Sequence, residues 1–194
     1  MDDTPYRDQM VGRFLELVAS PEPAPGGGAV AAMATAMAAS LVAMAARLSG
    51  RHMEDAAEVG QQADRLSQRA ALLADQDAGA YREVLAAYAL PKELDPDTRR
   101  ARIRQALVHA TDVPLEVTRV AADTAILGSL LMASGNPNLK GDAVTAVLLA
   151  RAAARASATL VECNVRLGKL DGDWLDRSAA YLAAAGVDPP GDLI

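Results

Sequence analysis

Aromatic side chains are scarce in this chain. One phenylalanine, Phe14, one tryptophan, Trp174, and four tyrosines make up 3% of 194 residues, although 51% of the residues are hydrophobic. The interior must therefore be built from Ala, Leu, Val and Met, a set that suits helices lying close together. The same shortage leaves few platforms for stacking bases, and a net charge of −6 gives no basic surface to neutralise phosphates. No nucleic-acid partner is expected. Cysteine is almost missing too. A single Cys163 excludes an intrachain disulfide and a cysteine metal site, and fits a reducing compartment. The two histidines, His52 and His109, lie far apart without ligand spacing, so no metal is expected. The sequence begins Met1-Asp2-Asp3, acidic where a secretory leader would be positive. A cytoplasmic location is the expectation.

The most informative segment runs from Pro25 to Ala46, where Gly26-Gly27-Gly28 opens into Ala29-Val30-Ala31-Ala32-Met33 and a long alanine-rich stretch. A glycine loop feeding a helix exposes backbone N–H groups at the positive end of the helix dipole, a seat for a carboxylate or phosphate. The plainer reading is a turn before a core helix. The run approaches the length of a membrane span. Alanine is only weakly hydrophobic, however, and Thr35 and Ser40 interrupt the run. A helix buried on all sides in a bundle, with no membrane partner, is the expectation.

Helical periodicity continues on both sides of this segment. Thr4-Pro5 reads as a helix start, followed by an apolar stripe of Val11, Phe14, Leu15 and Val18. Pro21, Pro23 and Pro25 end that helix, and Ser49-Gly50 ends the next. Met53 to Ala89 has no proline and alternates leucine with charge, so it reads as one long amphipathic helix or two in line. Asp95-Pro96 restarts the chain as an N-cap with a first-turn proline. Pro114 should kink or interrupt that helix, because it lacks an N–H and clashes with the turn before it. Ser134 to Gly141 reads as a loop, with Asp142 in the first turn of a helix reaching about Leu167 and a last short helix from Trp174 to Ala185. No strand-like alternation is present. The expected fold is an all-α, single-domain bundle of about six helices with one long helix, covering residues 1–194.

Asp77 and Tyr81 are four residues apart and share a helix face, with Val84 and Tyr88 beyond them. An acid beside tyrosines on a partly apolar face is open to desolvation, which raises its pKa toward general acid–base use. The ordinary alternative is a solvated carboxylate. Lys92 is either a carboxylate ligand or a surface charge. Arg99, Arg100, Arg102 and Arg104 read as the coat of an exposed helix face. In the later loop, Asn136 and Asn138 supply amide groups and tolerate tight turns. The charge of Asp142 is favoured at a helix N-terminus. Taken alone, that loop is a connection with a cap.

In order along the chain, Ser20-Pro21-Glu22-Pro23-Ala24-Pro25-Gly26-Gly27-Gly28-Ala29, Asp77-Ala78-Gly79-Ala80-Tyr81 with Leu90-Pro91-Lys92, Val113-Pro114-Leu115, and Gly135-Asn136-Pro137-Asn138 with Asp142 together resemble the cyclodeaminase/cyclohydrolase family. That family includes formiminotetrahydrofolate cyclodeaminase and a class of methenyltetrahydrofolate cyclohydrolases. The resemblance spans roughly Phe14 to Leu167. It implies a cyclodeaminase-like all-α homodimer that binds a tetrahydrofolate derivative as substrate, without a metal or redox cofactor. It also implies hydrolysis of 5,10-methenyltetrahydrofolate to the 10-formyl compound, with formimino cyclodeamination, a non-catalytic folate binder or a helical scaffold as alternatives. On the same footing Asp77 and Asp142 are the candidates for proton transfer or for holding the cation. Asn136 and Asn138 are expected to orient the substrate, Tyr81 to line its site, and Lys92 with the Gly26, Gly27 and Gly28 amides to hold its glutamate carboxylates. The chain departs from the family pattern at Ala29 and Gly141, where a serine is usual, and after Asn164-Val165, where a second asparagine is usual.

Overall fold

The alanine run after the triple glycine folds as the helix around which the others gather. A computed structural model of the chain describes residues 4–91 and 93–188. Among these, six α-helices follow one another: α1 (Val11–Val18), α2 (Gly27–Arg47), α3 (Ala56–Tyr88), α4 (Pro96–Ser134), α5 (Lys140–Gly168) and α6 (Trp174–Ala184). Two short 3-10 turns, Tyr6–Asp8 and Pro137–Leu139, precede α1 and α5. No strand occurs among the described residues.

Helix α2 packs against α3, α4 and α5. Ala29, Ala32, Ala39, Val42, Ala43 and Ala46 are almost fully buried along it. Its one buried hydroxyl, on Thr35, donates to the Ala31 carbonyl at 2.9 Å, so no polar group is stranded there. The expectation of burial on every side needs correcting. Three neighbours leave a fourth side open, and Met37 on that side is 59% exposed. By length and composition α2, α4 and the stretch Pro137–Gly168 would each suffice to cross a membrane; 61% of the apolar window of α2 is buried within the fold.

Small residues set how near the helices come. At Gly128 of α4 an added Cβ would lie 2.7 Å from Val147 Cγ2 of α5 and 3.5 Å from Val42 Cγ2 of α2. Only glycine fits where these three helices meet. At the far end of α2, the Ser49 hydroxyl donates to the Ala45 carbonyl at 2.8 Å and accepts from the Asn136 backbone N–H at 2.9 Å. This ties the end of α2 to the junction between α4 and α5.

The long amphipathic segment is one helix, α3. Helix α4 starts where Asp95-Pro96 predicts, with the Asp95 carboxylate accepting from the Thr98 N–H at 2.8 Å. Two expectations differ from the structure. Thr4-Pro5 does not open the first helix, which begins at Val11. The Tyr6 N–H instead donates to Asp75 Oδ1 at 3.0 Å, and the Tyr6 ring meets Phe14 edge-on at 5.5 Å, so tertiary contacts hold a short 3-10 turn there. Pro114 does not interrupt its helix either, and α4 passes through it from Pro96 to Ser134. The carbonyl that Pro114 leaves without its helical donor, on Ala110, accepts instead from the Asn164 side chain of α5 at 2.6 Å.

Replacing Gly128 with alanine should force α4 away from α5. We expect a loss of about 1–3 kcal/mol, the usual cost of overpacking, measured by urea denaturation with an unchanged helical signal.

Candidate active site

Asp77 sits near the middle of α3, on the face turned toward the first turn of α2. Its carboxylate rests on the α2 N-terminus. A Cβ added to Gly28 would lie only 2.0 Å from Asp77 Oδ1, so the acid occupies the space that a side chain would otherwise take. The backbone N–H of Ala29 donates to the carboxylate. Gly26 caps α2 with extended backbone and contributes no side-chain hydrogen bond. Among the described residues, the carboxylate seated against this helix end is that of Asp77. Burial pushes the Asp77 carboxyl above the usual carboxylate range, and the Ala29 N–H offsets this only in part.

A cleft of about 330 Å³ opens beside this acid. The Pro23–Gly28 loop forms one rim. The walls come from Tyr81 and Val84 of α3, Leu107 and Ala110 of α4, and Leu160, Asn164 and Leu167 of α5. Apolar walls with a few convergent polar groups, one of them an acid with a displaced pKa, describe a small-molecule site. The expected sharing of one face by Asp77 and Tyr81 is present, and Asp75 points elsewhere, to the Tyr6 N–H.

The structure brings together Gly26, Gly27, Gly28, Asp77 and Tyr81. It does not bring Asn136, Asn138 or Asp142 to them within one chain. Asp142 lies in the first turn of α5 and Asn164 near its last, roughly 30 Å apart along the helix. Asn136 donates its side-chain amide to Leu48 O at 3.1 Å, just beyond the opposite end of α2 from the glycines, and accepts from the Asn138 N–H at 3.0 Å. These contacts fasten the α4–α5 junction. Lys92 lies outside the described residues. Asn164 is a cleft residue that sequence reasoning did not single out as one. Its signal was available in Pro114, whose missing N–H requires some donor for Ala110.

A larger groove of about 560 Å³ lies between α3 and α4, with Leu90, Leu94, Arg102, Glu83 and His109 along it. Glu83 and His109 pair at 2.8 Å, and both are about half exposed. The two side chains bond each other in solvent, which gives this groove less to offer chemistry than the cleft beside Asp77.

The formiminotransferase-cyclodeaminase family model matches residues 10–181. The chain belongs to this family. It is 35% identical over 167 residues, 82% of its length and 80% of the relative's, to methenyltetrahydrofolate cyclohydrolase of Methylorubrum extorquens. Its fold is that of formiminotetrahydrofolate cyclodeaminase from Thermotoga maritima, with a TM-score of 0.80 over 92% of each chain at 24% identity. Family membership and the helical fold stand as the motifs implied.

The raised value of Asp77 has a consequence for stability. The native state holds this proton more tightly than the unfolded chain does. Its contribution to stability is therefore complete below the ordinary carboxylate range and is lost as pH rises through the raised native value. Asp77→Asn removes the linkage. Its melting temperature should gain on the wild type as pH increases from 4 toward 8 and then run parallel. Gly28→Ala, which expels the carboxylate, should flatten the same difference in thermal melts.

Proposed function

We propose that this chain hydrolyses 5,10-methenyltetrahydrofolate to 10-formyltetrahydrofolate, with Asp77 as its acid–base group. The observation that carries this reading is the half-buried carboxyl of Asp77, held above its usual range on the α2 N-terminus in an apolar cleft. The 35% identity to a methenyltetrahydrofolate cyclohydrolase supports the choice of substrate. The methenyl carbon bridging N5 and N10 is already cationic, so attack by water needs neither a metal nor a redox cofactor. Asp77 takes a proton from the attacking water as the C–O bond forms. The same carboxyl then delivers that proton to N5 as the C–N5 bond breaks. The hydroxyl on the former methenyl carbon releases its own proton to solvent as the C=O bond forms, leaving the formyl group on N10 and one proton released overall. A base whose pKa lies nearer neutrality performs both transfers better than an ordinary carboxylate. Tyr81 and the leucine walls shelter the ring system, and the Gly26–Gly28 loop lies at the mouth, where the rest of the ligand leaves.

Cyclodeamination of the formimino compound is the second reading, and the family description favours it. There N10 attacks the formimino carbon and ammonia leaves. The protonated form of Asp77 suits donation to the departing nitrogen. We also place the chain in the cytoplasm as a homodimer. Asn136, Asn138 and Asp142 reach an Asp77 cleft only from a second copy, and sedimentation of the purified protein reads that assembly.

Loss of the near-ultraviolet absorbance of methenyltetrahydrofolate tests the first reading, in a buffer where spontaneous hydrolysis is slow. Enzyme-dependent loss is expected, and Asp77→Asn should lower kcat by about 10²–10⁴-fold with its fold intact. Methenyl product formed from the formimino substrate, without cyclohydrolysis, would move the assignment to the deaminase. Neither reaction, with no thermal shift on adding a folate, would leave a scaffold.

A further inference from the structure

An asparagine amide has two faces, one that only donates and one that only accepts. At Asn164 the fold decides which face the cleft sees. Pro114 has no N–H to give to the carbonyl four residues before it, so the Ala110 carbonyl in the wall of the cleft needs another donor. Asn164 Nδ2 supplies it at 2.6 Å across the α4–α5 contact. A carbonyl cannot donate, so the amide nitrogen must be the end that faces Ala110. Turning the amide over would set two oxygens against each other and leave the backbone carbonyl orphaned. Both Ala110 and Asn164 line the cleft that holds Asp77. Among the described residues no donor engages Asn164 Oδ1.

We infer that Asn164 is a substrate-binding residue: its Oδ1, fixed in direction by the Pro114-freed carbonyl of Ala110, accepts a hydrogen bond from an N–H group of the bound folate. The proline and the asparagine act as one device. The proline makes a vacancy in the helix ladder, the asparagine fills it, and filling it orients an acceptor beside the reacting carbon. A ligand offering an acceptor or an apolar edge at that point would leave Oδ1 unpaired and bind less well. This inference rests on the folate reading of the cleft.

A plain structural role for Asn164 can be separated from this one by repairing the helix first. In a Pro114→Ala background the residue-114 N–H can donate to Ala110 itself, and Asn164 is no longer needed as a cap. Asn164→Leu alone should destabilise the protein in urea, and the same substitution made on Pro114→Ala should cost much less. The repaired double variant should nevertheless show KM for methenyltetrahydrofolate, and Kd for tetrahydrofolate by calorimetry, raised roughly three- to tenfold. Pro114→Ala alone should show a smaller rise, because its amide is free to turn. A double variant that is stable and binds as the wild type does would overturn the binding role and leave Asn164 a helix cap. Equal destabilisation in both backgrounds would overturn the link through Pro114. A wild-type protein that binds no folate would instead sink the reading of the cleft, and this inference with it.

Discussion

Helices can lie only as close as the side chains between them permit, and here those side chains are mostly methyl groups. The α2 helix presents alanine after alanine to three neighbours. Where α4 crosses both α2 and α5, even a methyl is too much, and Gly128 stands there. Close approach replaces the large contact area that aromatic residues would give, with many short contacts of small individual worth. It also limits where polar groups can go. Buried hydroxyls on Thr35, Thr111, Thr118 and Thr124 each bond the carbonyl one turn back, so a tightly packed core carries them without needing partners from another helix.

The same closeness builds the cleft. Because Gly28 has no side chain, α3 can press the Asp77 carboxylate onto the first turn of α2. Two opposing influences meet there. Removal from water favours the neutral acid, and the Ala29 N–H favours the anion. Burial wins, which leaves an acid that costs the fold something when ionised and is useful for moving protons. Activity is commonly sustained at some expense of stability in this way.

Most of the architecture could be read before any coordinates, because six periodic segments were separated by proline and glycine signals of known meaning. The Asp95-Pro96 start and the position of Asp142 in the first turn of α5 follow from local rules alone. The errors arose where a distant residue supplied what local rules denied. Pro114 should kink or interrupt a helix, yet α4 runs through it, and Asn164, fifty residues on, bonds the carbonyl that the proline leaves free. Thr4-Pro5 should start one, and Asp75 holds the Tyr6 N–H instead. The cleft was legible in part. The four-residue spacing of Asp77 and Tyr81 put them on one face. Nothing local reveals that an acid nearly fifty residues later packs against Gly28 at the start of α2. Motif order also could not reveal distance: two helices of opposite direction carry Asn136 and Asp142 to the far end of the bundle.

The lone Trp174 has a further consequence. Its indole N–H bonds Asp112 Oδ1 at 2.7 Å, two residues from both Ala110 and Pro114. Its ring packs on the cluster that includes Val84 and Leu107, the same side chains that wall the cleft. With no other indole in the sequence, the tryptophan fluorescence of this protein, excited to the red of tyrosine, comes from a single position behind its cleft. The molecule thus carries a built-in optical reporter, one that senses the wall from the outside and leaves the interior free for a ligand.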